Sequence, residues 1–160
     1  MRKLVLIFLF VLALDQYTKH LAQQHLQLGV PKPVIAGVFD LTLVHNPGAA
    51  FGMFANLPDT QRRIALACVT VLALGVVVWF GYAEAKNDHW FQCSLAGIVA
   101  GAIGNMIDRF RFDSVIDFLD VYYDTHHWPA FNVADSAISV GVTVLFLRML
   151  FVPKNTPKLH

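Results

Sequence analysis

Eight polar side chains of types that can move protons or hold a polar substrate interrupt a chain that is otherwise very apolar. Carboxylates can act as general acids or bases, and amides and cations can orient the reacting groups. Each charged side chain costs about 2.5–3.5 kcal/mol at the centre of a membrane helix on insertion scales, so several at one depth require mutual pairing or a function. The eight residues are Asp15, Lys19, Asn105, Asp108, Arg109, Asp117, Asn132 and Asp135.

Two carboxylates at a membrane surface suit peptide hydrolysis by an aspartic dyad. One carboxylate takes a proton from the attacking water, and the other, kept protonated by proximity and low dielectric, donates toward the scissile carbonyl. Spacing alone leaves open which two carboxylates form such a pair.

For two pairs of these residues, a purely structural role is an alternative to a catalytic one. Asp15 and Lys19 are spaced i,i+4 in the favourable acid-first order, which predicts an intrahelical ion pair. Asn132 and Asp135 have the spacing of a helix N-cap followed by an acid in the first turn. Capping alone would explain Asp135.

The other acids differ in how easily a structural role explains them. Asp108 and Arg109 are neighbours and are compatible with a helix-end pair. Asp117 is harder to explain in this way, because it stands among apolar neighbours with no basic residue beside it. We expect Asp120 and Asp124 to be solvated loop residues.

The composition indicates a membrane protein. Of 160 residues, 56% are hydrophobic and only 14% are charged, and the charges gather between long uncharged runs. The net charge is +1, and no basic stripe suggests binding to nucleic acid.

Four spans are predicted within a single membrane domain, 1–160. Residues 64–83 and 90–107 carry no charge and reach the ~20 residues that a membrane helix requires. The other two spans are 133–152 and a first helix at about 4–22, which we expect to be retained, because Asp15 to Lys19 replaces the small-residue cleavage site of a signal peptide.

Two longer segments connect these helices on the outer face. Segment 23–63 contains alternating residues 38–43 before a turn at 46–48, which predicts a strand. Segment 109–131 is rich in aromatic residues, which predicts a loop or helix lying along the membrane surface. The predicted fold class is an all-α membrane protein, a bundle of four transmembrane helices with a small extracytoplasmic β-region.

The orientation in the membrane is predicted from the basic residues that precede the first span. The lysines and arginines of the whole chain are divided equally between the two sides of the membrane and do not decide it. Arg2 and Lys3 precede the first span, and Lys19 and Arg109 are discounted as members of a polar site. Both termini are therefore predicted to lie in the cytoplasm, with the polar residues near the outer face.

Other catalytic designs are poorly supported by the motifs. The chain has neither a His-Glu-x-x-His zinc motif nor a Gly-x-Ser-x-Gly elbow. Adjacent His126 and His127 seldom point at one ion, so no metal or other cofactor is predicted. In the third span, Gly97, Gly101 and Gly104 form a small-residue pattern that predicts close helix packing.

Five short motifs follow one another along the chain and cover nearly all of it. They are Asp15-Gln16-x-x-Lys19, Asn46-Pro47-Gly48-Ala49-Ala50-Phe51-Gly52, Gly104-Asn105-x-x-Asp108-Arg109, Val115-Ile116-Asp117-Phe118 and Phe131-Asn132-x-Ala134-Asp135. In order and spacing they resemble the lipoprotein signal peptidases, also called signal peptidase II. Each motif alone is weak evidence, but the combination on four predicted spans is specific.

The resemblance implies a metal-free peptidase of the bacterial inner membrane, and we expect it to be a monomer. Such an enzyme cleaves the signal peptide from diacylglyceryl-modified prolipoproteins just before the lipidated cysteine, and globomycin inhibits it. The implied catalytic pair is Asp117 and Asp135. The residues implied to bind substrate or hold the pair are Asn46, Asn105, Arg109 and Asn132, with Asp15, Lys19 and Asp108 supporting the architecture.

Two other classes of function remain open at this point. A small proton- or ion-coupled transporter would use intramembrane acids as a relay, although acids near one face fit this less well than acids through the whole depth. A non-catalytic assembly factor would use the same polar residues only for stability.

Overall fold

The computed structural model describes residues 2–48, 57–84 and 88–151. Four helices and four strands occur in these ranges. They are α1 (Arg2–His25), β1 (Lys32–Ile35), β2 (Phe39–Asn46), α2 (Asp59–Glu84), α3 (His89–Phe112), β3 (Val115–Tyr123), β4 (His126–His127) and α4 (Val133–Phe151). The motif portion from Ala49 to Gly52 lies outside the described residues.

Within the described ranges, three helices are long and apolar enough to cross a membrane, namely α1, α3 and α4. Large apolar side chains project from their surfaces, including Phe10 on α1 and Phe146 on α4, which are 67% and 60% exposed. Lipid, unlike water, carries no penalty for such exposure. Helix α3 is central and packs against α1, α2 and α4.

The predicted close packing at the glycines of α3 is confirmed. A Cβ built at Gly101 would lie 2.5 Å from the carbonyl oxygen of Ala134, and one at Gly104 would collide with the Asp15 carboxylate. At Gly97 the nearest atom would be 3.9 Å away, an ordinary contact. The glycines at 101 and 104 therefore let α4 and α1 approach the backbone of α3.

The strands form one antiparallel sheet in the order β1-β2-β3-β4. Strand β2 confirms the predicted strand at 38–43. It pairs with β3 so that Val44 lies opposite Asp117. Ala22 near the end of α1 packs with Leu43, Ile116 and Phe118 of these two strands, so the sheet is anchored on α1.

The prediction that 109–131 forms a surface-lying loop or helix is wrong, and the all-α class is too narrow. Residues 109–112 complete α3, and most of the remainder forms β3 and β4. The segment 115–123 is rich in β-branched and aromatic residues, and pairing with β2 satisfies its backbone. Asp120 is consequently a strand residue, not the loop residue that we expected.

Candidate active site

Strand alternation places Asp117 on the face of β3 opposite to the apolar core. Ile116 and Phe118 point into that core, so the residue between them points the other way. Asp117 is 1% exposed, and both of its oxygens accept hydrogen bonds. Asn46 Nδ2 donates to Oδ2 at 2.9 Å, and Asn132 Nδ2 donates to Oδ1 at 2.7 Å.

The start of α4 brings the second carboxylate to the same place. Phe131 pairs with Leu119 of β3 through backbone hydrogen bonds, which sets the next residue, Asn132, beside Asp117. Asn132 Oδ1 accepts from the Asp135 backbone N–H at 2.9 Å, and Asp135 Oδ2 accepts from the Asn132 backbone N–H at 3.3 Å. The predicted capping pair is thus confirmed.

Asn105 of α3 connects this cap to the rest of the site. Its Nδ2 donates to Asp135 Oδ1 at 2.7 Å, and its Oδ1 accepts from Asn132 Nδ2 at 3.1 Å. Asp117 and Asp135 therefore belong to one hydrogen-bond network that runs through two asparagines.

A buried charge cluster lies beneath the network. Lys19 Nζ lies 2.9 Å from Asp15 Oδ2 and 2.8 Å from Asp108 Oδ2, and it also donates to Asn105 Oδ1 at 2.9 Å. The predicted Asp15–Lys19 ion pair is confirmed. Asp15 Oδ1 also accepts from the Ala134 backbone N–H at 2.9 Å, so the cluster holds the first turn of α4.

Asp108 hydrogen-bonds to groups other than the neighbouring Arg109. Its Oδ2 accepts from the Ile116 backbone N–H at 3.2 Å, and its Oδ1 accepts from Gln16 Nε2 at 3.0 Å. Gln16 also lies 3.2 Å from Asp15 Oδ2 and was not predicted as a site residue. The sequence feature that could have identified Gln16 is its polar amide, which lies in an apolar helix at the same depth as Asp15.

Arg109 borders both carboxylates. Its Nη1 donates to the Asn105 carbonyl at 3.3 Å, and the charges of Asp135 and Asp117 act on the guanidinium. Its buried Nε has no hydrogen-bond partner among the described residues. A donor held in this way can meet a polar group of a bound molecule.

The environment of Asp117 favours its protonated form. The pKa of this carboxyl is raised to about 7, chiefly by burial and also by the charge of Asp135, while hydrogen bonds from Asn46 and Asn132 and the charge of Lys19 limit the shift. At neutral pH the network therefore holds a carboxyl group that can release or take up a proton.

A separate polar group lies on the sheet and was not predicted. His127 Nδ1 lies 3.0 Å from both oxygens of Asp120, and its ring stacks on Tyr122 with centroids 4.6 Å apart. The Tyr122 hydroxyl donates to Asp40 at 3.1 Å. In the described part of the chain, no cluster of three or more His, Cys, Asp or Glu side chains is arranged to hold a metal ion.

Two carboxyl groups that are linked by hydrogen bonds through asparagine side chains, at the end of a bundle of apolar helices, are the arrangement expected of a membrane-embedded aspartic peptidase. Comparison with known families gives the same class: the model of the family described as Signal peptidase (SPase) II matches residues 7–151. The chain belongs to this signal peptidase II family, whose members are aspartic peptidases.

Relatives from several bacteria are similar over most of their length. A lipoprotein signal peptidase of Syntrophus aciditrophicus is 44% identical, with 94% of this chain and 96% of the relative covered. One from Geobacter sulfurreducens is 47% identical, with 87% and 86% covered, and one from Acinetobacter baumannii is 39% identical, with 92% and 82% covered. These similarities favour a peptidase and give no support to the alternative transporter.

A solved structure described as a bacterial membrane enzyme has the same fold. It superposes with a TM-score of 0.81 at 29% identity, with 96% of each chain covered. A second structure of the same description gives a TM-score of 0.82 at 29% identity, with 100% of this chain and 94% of the other covered.

Proposed function

We propose that Asp117 and Asp135 are the catalytic pair with which this signal peptidase removes the signal peptide from diacylglyceryl-modified prolipoproteins, before the lipidated cysteine. The observation that carries the proposal is the position of Asn132. Its side chain donates to Asp117, while its backbone N–H and side-chain oxygen bond to Asp135. A single residue thus bonds to one buried carboxyl group, Asp117, and to one partly buried carboxyl group, Asp135.

The reaction needs one ionised and one protonated carboxyl group. The ionised group takes a proton as the water oxygen bonds to the scissile carbonyl carbon, and the protonated group donates to the carbonyl oxygen. Collapse of the resulting diol breaks the C–N bond: one diol hydroxyl returns its proton to the carboxylate that had donated, and the leaving amine takes the proton held by the other carboxyl group. The pKa of about 7 at Asp117 supports a pair that shares a proton at neutral pH.

The surrounding polar residues divide into two proposed roles. Asn46, Asn105 and Asn132 hold the pair through hydrogen bonds. Arg109 binds substrate, and its buried Nε, which has no partner among the described residues, supports contact with a lipid phosphate or a backbone carbonyl. Asp15, Lys19 and Asp108 support the architecture, since they tie α1, α3 and the first turn of α4 together.

We further propose one membrane domain in the bacterial inner membrane, with α2 as the fourth span. Both termini are cytoplasmic and the pair lies near the periplasmic face. The polar ends of α1 and α3 lie beside the sheet, and the Arg2-Lys3 leader starts the opposite end of α1, which supports this orientation. The enzyme acts as a monomer that globomycin inhibits.

Cysteine labelling tests the orientation. In a variant with Cys68 and Cys93 replaced by Ala, Lys32→Cys and Asp124→Cys should react with an impermeant thiol reagent added outside. Lys158→Cys should react only after the membrane is opened. Labelling of position 158 in intact cells would overturn the orientation without affecting the assignment of the pair.

Cleavage of a lipidated prolipoprotein by purified variants tests the pair. Asp117→Asn and Asp135→Asn should each lower the cleavage rate by at least the factor of about 10²–10⁴ that general acid–base catalysis contributes. Asp124→Asn, which changes an exposed turn residue, is the matched control and should retain its activity. Addition of globomycin to the wild type should stop cleavage.

The variants are compared at matched expression and matched thermal stability in detergent. Near wild-type cleavage by either Asp117→Asn or Asp135→Asn would show that the pair is assigned incorrectly. The same conclusion would follow if both lost activity only because they unfold.

A further inference from the structure

The ammonium group of Lys19 uses all three of its hydrogen-bond donors, and only one of its partners is uncharged. Two go to the carboxylates of Asp15 and Asp108, and the third goes to Asn105 Oδ1 at 2.9 Å. The side chain is 3% exposed, so water does not compete for these donors. No donor of Lys19 is left for either member of the proposed catalytic pair.

We propose that Lys19 is a positioning residue that fixes the orientation of the Asn105 side-chain amide, so that its Nδ2 faces Asp135. The inference rests on the function proposed above. An ammonium group has donors and no acceptor, so the atom of Asn105 that it contacts has to be the oxygen. The nitrogen of the same amide then points at Asp135 Oδ1, 2.7 Å away.

The reversed amide would make two repulsive contacts at once. Its N–H₂ group would face the Lys19 ammonium, and its oxygen would face the Asp135 carboxylate. The two orientations have nearly the same shape, so packing does not choose between them. The choice rests on the polar contacts at the two ends of the amide, and Lys19 supplies the charged donor to its oxygen.

The second donor to Asn105 Oδ1 is weaker. Asn132 Nδ2 has two hydrogens but lies near three acceptors, at 2.7 Å from Asp117 Oδ1, 3.1 Å from Asn105 Oδ1 and 3.3 Å from the Ile116 carbonyl. The shortest contact takes one hydrogen, and the other two acceptors share the second. Lys19 is therefore the stronger of the two donors that hold Asn105 Oδ1 in place.

The other two asparagines are oriented by backbone donors instead. The Gly48 N–H donates to Asn46 Oδ1 at 2.9 Å, and the Asp135 N–H donates to Asn132 Oδ1 at 2.9 Å. In each case the oxygen is occupied and the nitrogen turns toward a carboxylate of the pair. Of these three asparagines, Asn105 is the one that is oriented by a side-chain donor. Substitution of that donor, Lys19, can therefore test its role.

The test is a double-mutant cycle on kcat, measured with a lipidated prolipoprotein. Lys19→Met keeps the aliphatic stem and removes the donors, and Asn105→Ala removes the amide. Loss of a hydrogen bond to a charged group costs about 1.5–3 kcal/mol, so Lys19→Met should lower kcat about 10–100-fold with little change in KM. In the Asn105→Ala background it should lower kcat by less than about 3-fold.

Two further variants separate positioning from general destabilisation. Lys19→Arg keeps a charged donor and should recover most of kcat. Thr18→Ala, in the adjacent position, removes a hydroxyl whose partners among the described residues are carbonyls of its own helix, and should have no effect. An equal loss of kcat from Lys19→Met in both backgrounds would overturn the inference.

If Lys19→Met does not fold, Asn105→Asp provides a second test of the positioning role. It keeps an oxygen for Lys19 but turns a second oxygen toward Asp135, so kcat should fall about 10–100-fold. A kcat near the wild-type value would overturn the positioning role. If Asp135→Asn remains active, the proposed catalytic pair is wrong instead, so the two failures are distinguishable.

Discussion

Asn132 donates its side-chain Nδ2 to Asp117 Oδ1 at 2.7 Å, across the junction between β3 and the first turn of α4. The same residue is the N-cap of α4, because its Oδ1 accepts from the Asp135 N–H. Helix capping and contact with Asp117 are thus performed by two different atoms of one amide. A substitution can remove one role and keep the other.

Asn132→Ser should separate these two roles. Serine is a good N-cap, but its hydroxyl group does not span the distance to Asp117. We expect a loss of about 10–100-fold in kcat, the cost of a hydrogen bond to a charged group, and a melting temperature that stays above that of Asn132→Ala because the cap is kept. Asn132→Ala removes the cap as well and should also lower stability, by about 0.5–2 kcal/mol. Equal melting temperatures for the Ser and Ala variants would contradict the capping role.

Asn46→Ala should move the pH dependence of cleavage to higher pH. The Asn46 N–H stabilises ionised Asp117 and holds its pKa down against burial, so its removal raises that pKa above about 7. A hydrogen bond to a charged group is worth about 1.5–3 kcal/mol, which corresponds to about 1–2 pKa units. The measurement is kcat as a function of pH. His45→Ala, an exposed change on the same strand, is the control and should leave the profile in place.

Asp117 should make the folded state less stable as pH rises. Its folded pKa of about 7 lies above the ordinary value of 3.8, so between these values the folded state binds a proton that the unfolded chain releases. Its contribution is most favourable below about pH 4, falls through the window up to about pH 7, and is level above that.

Asp117→Asn should remove this dependence. Between pH 4.5 and pH 8 its stability should improve relative to the wild type by roughly 2–4 kcal/mol. The new amide meets N–H donors from both Asn46 and Asn132, which adds a cost that does not vary with pH. The measurement is therefore the difference in melting temperature between Asp117→Asn and the wild type, followed as a function of pH. A constant difference would contradict the raised pKa.

Gly104→Ala should disrupt the charge cluster, because the new Cβ collides with the Asp15 carboxylate. Overpacking of this kind costs about 1–3 kcal/mol, and displacement of Asp15 also loosens its contacts with Lys19 and the first turn of α4. Both melting temperature and kcat should fall. Gly97→Ala is a matched control on the same helix, where the Cβ meets only an ordinary contact and helix propensity favours alanine.

Cleavage should survive treatment with strong chelators. A carboxylate pair activates water by taking its proton, which requires no Lewis acid. The assay is prolipoprotein cleavage after dialysis against EDTA. Loss of activity that zinc restores would argue for metal-assisted hydrolysis and would direct attention to His126 and His127.

Local patterns were sufficient for several features of the site. The spacing of Asp15 and Lys19 predicted their ion pair, and the spacing of Asn132 and Asp135 predicted the cap. Each of these contacts joins residues three or four positions apart on one helix, where geometry follows directly from the helical repeat. The apolar spans and the motif order likewise predicted a membrane enzyme and its family.

Contacts between distant parts of the chain were decided only by the tertiary structure. Lys19 and Asn105 are 86 positions apart, and Asp15 and Ala134 are 119 positions apart. Such contacts depend on how closely the helices approach and on the axial register of their packing. The segment 115–123 illustrates the same limit, since its aromatic residues suit both a membrane surface and a strand. Pairing with β2 decides between them because it satisfies the backbone hydrogen bonds of a buried segment.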